Sequence, residues 1–585
     1  MNNLSIEGHT CLAVEIGSVN TRAAFFDTID GKYRYISTGF SSSTANFPIS
    51  NAMTGVFFAI ENLQELIGKQ LLDKDRRLII PSRSDGSGVD HLVTLISNGK
   101  PIKILTAGLL PDVSMESLIN LSQTTNSVLV DSIDLKDDRL PDEQVDSIVQ
   151  NIPDLILLAG GSEGGAANTI QNILDILGLG IYLLPVTKHP DILFSGNSEF
   201  AKIVQHSLKN IANQVYICPN IRPTMEIEDI KPAQVKLAEV VANIKLRQMP
   251  ELEIMAKLST LSPMSSSFSH GRMIRFLSSY FGSRRGVLGV DIGGSGISTA
   301  FSISGDLQLN ACPELGLGEP SGSLLEFTTV EEISRWLCLP VSGSTVRNYL
   351  AQKSLYPGVI PSTREELAVE YAVIRQNLNL SVQWMNKRFA ENFHGELVLL
   401  PSFEQIVVSG SAITNAENDA QKLLLILDGL QPNGISQIYI DQYNLLAMLG
   451  AIAEIDSLIP IQIIDSGVLY PLALVIAPVQ FDDKPGQGIS INISGAGETS
   501  ISRQVMMDEL VLIKIPESQK VTIKITSING LDFGIDSGKE AEFEIAGSKM
   551  GVVIDLRKRP LQLPENAEDR INQLQKWSAC LGVKI

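Results

Sequence analysis

Two stretches of the sequence place a carboxylate beside a turn of small residues. EIGSVNTRAAFF begins at Glu15 and DIGGSGISTAFS begins at Asp291, and both carry an acid, Ile-Gly, small polar residues and a second apolar run. Each stretch predicts a β-hairpin, because apolar runs of strand length flank a tight turn. Backbone N–H groups at such a turn can approach a phosphate only where the side chains are small. The two carboxylates could then hold the water shell of Mg²⁺ or orient an attacking water.

A third stretch has the pattern of a nucleoside-binding corner. The residues from Ile406 to Ala416 (IVVSGSAITNA) predict a buried strand that runs into Gly410 and then into the start of a helix. A glycine at this point would let an adenine ring lie against bare backbone. A single turn of acid and glycine is more often an ordinary hairpin. The succession of two hairpins and a strand that ends in glycine is what predicts a nucleotide cleft.

Alternating strands and helices must position these turns. A chain of 585 residues exceeds what one hydrophobic core usually supports, which predicts several compact units. Short apolar strands alternate with helical stretches from 102 to 184, which is typical of βαβ units and a parallel sheet. The predicted segments are the first part of lobe I (1–82), an inserted or continuing α/β unit (83–260), a Ser-rich linker (261–285), a second lobe with the phosphate and adenosine motifs (286–480) and a separate β-rich domain with a closing helix (481–585).

The composition argues against several classes of partner. The formal net charge is −19, so the average surface repels nucleic acid and anionic lipid, whereas a local group of backbone N–H donors can still bind a nucleotide. The longest apolar runs are shorter than a membrane span. The N-terminus lacks the pattern of a signal peptide, and the five cysteines are scattered without CxxC spacing. We therefore expect a cytoplasmic protein that binds neither nucleic acid nor a membrane.

A glycine-rich stretch, LAGGSEGG, lies between a predicted strand and a predicted helix. Four glycines at such a junction either form an anion-binding nest or permit a tight turn with close packing, and we favour the packing role. In that role Glu163 and Asn168 would cap the helix or contact a partner. The six histidines do not group at a metal-ligand spacing. They are expected to be structural.

Nearly the whole chain resembles the glutamate mutase L family, within the superfamily of sugar and acetate kinases, heat-shock chaperones and actin. The resemblance rests on stretches long enough to be specific: EIGSVNTRAAFFD with the following DGKYRYISTG, TAGLLPDVSMESLINLS, LILLAGGSEGGAANTIQN, VDIGGSGISTAFS, ELGLGEPSGSLLE and GVVIDLRKRPLQLP. It implies an α/β, actin-like (ribonuclease H-like) two-lobed fold with ATP and Mg²⁺ in the cleft. It also implies a protein client, an adenosylcobalamin-dependent mutase that the protein protects or reactivates.

The same resemblance implies roles for individual residues. Glu15 and Asp291 would be the catalytic pair and would hold Mg²⁺ through water. Small residues of the three motifs would bind the phosphates and the adenosine, namely Gly17, Ser18, Thr21, Gly293, Gly294, Gly410 and Ser411.

The sequence departs from the family pattern at these working positions. Glu15 and Arg22 stand where Asp and Lys are usual, Gly296 and Ser298 where Thr and Asp are usual, and Ser411 where a second Gly is usual. The departures leave open ATP hydrolysis, ATP binding without turnover, and a scaffold that keeps the fold without catalysis. A small-molecule kinase is less favoured, since no motif for its general base is visible. A catalytic mutase is excluded because the cobalamin-binding motif Asp-x-His-x-x-Gly is absent.

Overall fold

The computed structural model describes residues 9–164, 170–390, 399–479, 486–495, 500–528, 530–534 and 540–583. The strands of the first half are β1 (Cys11–Ile16), β2 (Asn20–Ile29), β3 (Lys32–Ser42), β4 (His91–Ile96), β5 (Ile102–Ala107), β6 (Ser127–Ile133), β7 (Leu155–Leu158), β8 (Asp191–Phe194), β9 (Gln214–Ile217) and β10 (Met264–Ser265). Its helices are α1 (Ala52–Ile67), α2 (Glu116–Ser122), α3 (Pro141–Asn151), α4 (Ile170–Leu183), α5 (Ala201–Leu208), α6 (Lys231–Gln248), α7 (Glu253–Leu258) and α8 (Ser266–Tyr280).

The second half contains a similar mixture of elements. Its strands are β11 (Val287–Ile292), β12 (Ile297–Ile303), β13 (Asp306–Cys312), β14 (Gln405–Ser409), β15 (Gly434–Asp441), β16 (Leu469–Ala477), β17 (Gly488–Gly495), β18 (Ile501–Met506), β19 (Leu510–Ile513), β20 (Lys520–Ile528), β21 (Glu540–Ala546) and β22 (Val552–Asp555). Its helices are α9 (Val330–Ser334), α10 (Gly343–Leu355), α11 (Arg364–Arg388), α12 (Ser411–Thr414), α13 (Asp419–Gly429), α14 (Leu446–Ile452), α15 (Leu458–Asp465) and α16 (Ala567–Leu581).

Two sheets share one strand order. The first runs β3-β2-β1-β4-β10, and the second begins β13-β12-β11-β14-β15 and continues through β16, β22 and β19. In each sheet the first three strands in chain order are antiparallel, and the next two run parallel to the first. Both predicted hairpins, β1–β2 and β11–β12, are confirmed. The chain therefore contains two lobes of the same topology, which we call lobe I and lobe II.

An α/β unit is inserted between β4 and β10 of lobe I. Its sheet has the order β6-β5-β7-β8-β9, and every pairing is parallel, as the alternating pattern predicts. Separate apolar clusters cover its two faces, as is usual for a parallel sheet. Because β4 and β10 complete the first sheet, lobe I extends beyond the predicted segment 1–82.

The Ser-rich segment predicted to be a linker over 261–285 is instead largely helix α8, so this prediction is wrong. Its small residues allow close packing rather than flexibility. A Cβ atom at Gly271 would come closer than 3.0 Å to the Leu309 side chain, and one at Gly450 would do so to the Ser269 backbone. Helices α8 and α14 thereby join a core that both lobes share.

The C-terminal segment is not wholly a separate β-domain, which corrects that prediction. Strands β17, β18, β20 and β21 form an antiparallel sheet of their own, but β19 and β22 extend the sheet of lobe II. The four residues of β22 are all buried, which suits a strand covered on both faces. Within the described ranges, the helices are too short or too polar to span a lipid bilayer.

Candidate functional site

A cavity of about 460 Å³ opens between the two lobes, at the ends of both hairpins. Its walls include every predicted site residue except Thr21: Glu15, Gly17, Ser18, Asp291, Gly293, Gly294, Gly410 and Ser411. Thr21 is 1% exposed and lies beneath α1, where its hydroxyl would be 3.2 Å from a Cβ atom at Gly55. The structure thus brings the three motifs together but places Thr21 outside the cavity wall.

The two hairpin turns have the same backbone geometry. Gly17 donates its N–H to the Asn20 carbonyl oxygen at 3.0 Å, and Gly293 donates its N–H to the Gly296 carbonyl oxygen at 3.0 Å. The same hydrogen bond therefore closes both four-residue turns. A ligand between the lobes would face two equivalent backbone loops.

The residues opposite the two acids differ. Glu15 is the cross-strand partner of Arg22, with which it forms an ion pair, whereas Asp291 faces the uncharged Ser298. Burial would lower the pKa of Arg22, but the charges of Glu15 and Asp291 raise this pKa above its ordinary value. Removal from water, together with the negative charge of Glu15, raises the pKa of Asp291 to about 6. The positive charge of the Arg22 guanidinium therefore interacts with the negative charges of both carboxylates at this end of the cavity.

The raised pKa of Asp291 predicts a pH-dependent gain of stability when this charge is removed. A raised pKa in the folded state means that stability is lost as pH rises from about 4, the unfolded value, to about 6. Asp291→Asn is therefore expected to raise the free energy of unfolding by about 1–2 kcal/mol at pH 7.5, with no gain below pH 4. Thermal unfolding from pH 3.5 to 8 measures this, with the exposed Asp306→Asn as control. An equal effect at all pH values would contradict the assignment.

Gly410 directly follows β14 and has a φ of 98°, a conformation that favours glycine. A Cβ atom there would come closer than 3.0 Å to the backbone N, C and O atoms of Ile292 in β11. Its N–H donates to the side-chain oxygen of Asn444 at 2.6 Å. The sequence interpretation, that Gly410 makes room for adenine, missed this packing role. The neighbouring Ser411 is exposed at the cavity wall.

Asp441 fixes the position of the segment 442–444 beside Gly410, and the sequence analysis did not identify this residue. Its carboxylate accepts the N–H groups of Leu445 and Leu446, both at 2.9 Å, and the Ser409 hydroxyl at 3.1 Å. These bonds fix the segment 442–444, which lines the cavity. Burial raises the pKa of Asp441 despite these hydrogen bonds. An acid directly after the apolar strand ISQIYI was a signal that could have revealed it.

The lobes touch where the two turns meet. A Cβ atom at Gly294 would come closer than 3.0 Å to the side chains of Ser18 and Val19. The Ser295 hydroxyl donates to the Ser97 carbonyl oxygen at 2.9 Å, across the same boundary. A ligand in this cavity would therefore have to lie beside these two turns, or the turns would have to separate to admit it.

The cavity wall suits a polar ligand. Within the described part of the wall, the basic side chains are Arg22 and Lys245. Buried wall atoms without a hydrogen-bond partner among the described residues are the Oδ1 atoms of Asn98 and Asn126 and the Oγ atoms of Ser266 and Ser298. The described residues contain no group of three or more His, Cys, Asp or Glu side chains that could hold a metal ion directly. Glu15 and Asp291 fit a role through the water shell of a nucleotide-bound Mg²⁺.

The glycine-rich stretch lies in the inserted unit and packs closely. A Cβ atom at Gly196 would come closer than 3.0 Å to the backbone of Gly160. The Glu163 carboxylate accepts from the Ser198 hydroxyl at 2.6 Å and from the Asn220 amide at 2.9 Å. These contacts favour the structural interpretation over an anion-binding nest. Gly165, the last residue of this stretch, and the nearby Asn168 lie outside the described residues.

Two lobes of one topology around a shared cleft, with an inserted α/β unit and a β-rich C-terminal segment, define an actin-like, ribonuclease H-like protein. The sequence matches the model of the MutL protein family over residues 11–468. The chain belongs to this family, the glutamate mutase L proteins.

The chain is only distantly similar to solved structures, as three of them illustrate. A nucleotide-free structure of acetone carboxylase is 9% identical and has a TM-score of 0.36, covering 86% of this chain and 81% of its own. Xylulose kinase from Bifidobacterium adolescentis is 10% identical, with a TM-score of 0.29 and coverage of 77% and 93%. The ethanolamine utilization protein EutJ from Carboxydothermus hydrogenoformans is 11% identical, with a TM-score of 0.24 and coverage of 76% and 88%. No curated protein matches the sequence. The strand order of the two sheets defines the fold.

Proposed function

We propose that this protein binds Mg-ATP between its lobes and uses the nucleotide state to act on a protein client, an adenosylcobalamin-dependent mutase. The observation that carries the nucleotide proposal is the pair of equivalent turns, one from each lobe, that meet at a single cavity with one carboxylate each. The client is proposed from membership of the glutamate mutase L family.

In this proposal the described residues divide the cleft between the two ends of the nucleotide. The corner of Gly410 and Asn444 would receive the adenosine, and the turns at Gly17 and Gly293 would receive the phosphates. Arg22 would offset phosphate charge. Mg²⁺ would supply further charge neutralisation and would be held through water by the carboxylates at positions 15 and 291.

Nucleotide state could reach the client through the contacts between the lobes. The Tyr35 ring of lobe I lies 4.8 Å from the Tyr443 ring of lobe II, and both line the cavity. Ser295 and Ser97 form the other contact at the turns. A ligand that separates the turns would weaken these contacts between the lobes. Lobe closure would then depend on whether the ligand is bound.

The first test is calorimetric titration of the purified protein with ATP, with Mg²⁺ and with EDTA. We expect saturable binding of Mg-ATP, weakened at least tenfold in Asp291→Ala and Glu15→Ala. In EDTA neither variant should bind ATP more weakly than the original protein, because each carboxylate acts through the metal and otherwise repels phosphate. Asp306→Ala, an exposed acid of the same lobe, is the matched control. Absence of binding at millimolar Mg-ATP would refute the nucleotide proposal.

A scaffold without catalysis is the second candidate. The ion pair of Glu15 with Arg22 engages one of the two acids, and Gly296 and Ser298 occupy positions where Thr and Asp are usual in the family. The scaffold predicts binding to a purified mutase that is unaffected by Mg-ATP. The leading proposal predicts that Mg-ATP changes this affinity and restores activity to an inactivated mutase.

A further inference from the structure

Part of the cavity wall comes from the inserted unit and from the segments that flank it, and we call this part the second compartment. Its walls are Asn98 after β4, Asn126 before β6, Lys245 on α6 and Ser266 at the start of α8. The segment 97–100 links this second compartment to the first hairpin. At one end the Ser97 hydroxyl donates to the Glu15 carboxylate at 3.5 Å, and at the other the Lys100 carbonyl oxygen accepts from the Lys245 ammonium.

Lys245 is a buried cation whose charge is not balanced by a described carboxylate within ion-pair distance. Its side chain belongs to a residue that is 4% exposed, and its Nζ donates to the Lys100 carbonyl oxygen at 2.5 Å. An ammonium has three N–H donors, and a neutral carbonyl compensates its charge only in part. Burial lowers the pKa of Lys245 to about 8, while the negative charge of Asp154 raises it. The group is thus mostly protonated at pH 7 and lacks an anionic partner.

Neighbouring polar atoms of the same compartment are also unsatisfied. Asn98 is 2% exposed and Ser266 is 4% exposed, yet the Asn98 Oδ1 and Ser266 Oγ atoms have no hydrogen-bond partner among the described residues. The Oδ1 atom of Asn126 is in the same situation. Buried polar atoms are almost always paired, so several unpaired ones in residues that line one cavity indicate a missing ligand. The amide oxygens of the two asparagines and the serine hydroxyl can accept hydrogen bonds from a ligand with donor groups. The Lys245 ammonium can pair with an anionic group of the same ligand.

We propose that this compartment binds a small carboxylate that also carries hydroxyl or amino groups. Lys245 pairs with the carboxylate, and Asn98 and Ser266 form hydrogen bonds with the ligand's polar groups. The site lies beside the part of the cavity assigned to the phosphates. The inference rests on the proposed function only for what occupies that neighbouring part, and the binding of a carboxylate at Lys245 does not depend on a nucleotide. It can be tested without any nucleotide.

The test is titration of the full chain with L-malate, L-lactate, inorganic phosphate and uncharged glycerol, in the absence of ATP. We expect saturable binding of at least one of the two hydroxy acids and none of glycerol. Lys245→Met should weaken carboxylate binding at least tenfold, and Ser266→Ala severalfold. Lys257→Met, an exposed lysine on α7, is the matched control. Lys245→Met keeps an unbranched side chain and removes a buried charge. If Lys245→Met fails to fold, Ser266→Ala tests the same site independently.

Proton uptake distinguishes a direct ion pair from a structural role of Lys245. A carboxylate partner raises the pKa of an ammonium, so binding at pH 8.5 should take up protons and affinity should fall as pH rises above 8. Equal affinity of the original protein and Lys245→Met, or no binding of either hydroxy acid, would overturn the proposal. A Lys245→Met effect confined to phosphate would also overturn it, since Lys245 would then belong to the site proposed for the nucleotide phosphates. Carboxylate binding without Mg-ATP binding would instead refute the proposed function alone.

Discussion

Replacement of Asp555 by asparagine is expected to lower the free energy of unfolding by about 3–5 kcal/mol. Asp555 is fully buried and accepts hydrogen bonds from Arg557 at 2.8 Å and from Arg559 at 2.5 Å. Arg557 also donates to Asp428 at 2.8 Å, and Asp428 accepts from Arg375 at 2.8 Å. Three guanidinium groups therefore share two carboxylates away from water. Loss of one carboxylate leaves buried positive charge that the fold cannot neutralise.

The pH dependence of this loss follows from the pKa of Asp555. Burial alone would raise the pKa, but the charges of Arg557 and Arg559 hold it well below its ordinary value. The stability that Asp555 contributes is therefore present above the unfolded pKa of about 4 and is lost as pH falls through the folded value. The difference between Asp555→Asn and the original protein should be greatest at neutral pH and shrink in acid.

Urea unfolding at pH 7 and pH 3 measures both statements. The control is Glu61→Gln, which removes one partner of the exposed ion pair with Arg76 and should cost less than about 1 kcal/mol. A loss below 1 kcal/mol for Asp555→Asn at pH 7 would show that the network does not depend on this charge.

This network makes the C-terminal segment part of the candidate nucleotide lobe. Asp555 ends β22, whereas Asp428 and Arg375 lie on α13 and α11 of lobe II. The Arg557 guanidinium also lies 4.6 Å from the centre of the Trp577 ring on α16. Removal of the C-terminal segment would leave Asp428 without one of its two arginine partners. The β-rich segment is therefore expected to support the cleft rather than act as a detachable module.

Local signals in the sequence were sufficient for the hairpins and for the inserted parallel sheet. An acid, Ile-Gly and small residues between two apolar runs specify a turn whose partner strand is only a few residues away. The same holds for the βαβ pattern, whose strands pair with near neighbours in the chain. Equivalence of the two hairpins then predicted that both would face one cleft, because two copies of one topology place their turns at corresponding edges.

Features that depend on distant packing could not be predicted in this way. Ser269 and Gly271 look like linker residues until two later elements pack against them, namely α14 against Ser269 and β13 against Gly271. Lys245 lies on a helix with other lysines, and only docking of α6 against the segment 97–100 buries its charge. Thr21 belongs to the first motif, but strand alternation turns its side chain toward α1 and away from the cavity. A linear pattern contains no measure of these long-range contacts.

Replacement of Gly410 by alanine is expected to cost about 3 kcal/mol of stability and to weaken Mg-ATP binding at least tenfold. Two effects add, because the φ of 98° disfavours a side chain and the new Cβ would collide with the backbone of Ile292. Ile292 follows Asp291 directly, and β14 pairs with β11 up to the contact of Ser409 with Asp291. Relief of the collision must therefore move the strand that carries the second carboxylate.

Thermal unfolding and calorimetric titration of the same samples separate packing from ligand contact at this corner. Gly358→Ala is the matched control, since a Cβ atom there meets no atom within 4 Å. Ser411→Gly, which restores the residue usual in the family, should leave stability within about 1 kcal/mol, because the serine side chain is exposed. If Gly410→Ala binds Mg-ATP more weakly but keeps its stability, the main role of the glycine is to make room for adenine. If Gly410→Ala loses both stability and Mg-ATP affinity, the shape of the nucleotide corner depends on the distance between β11 and β14.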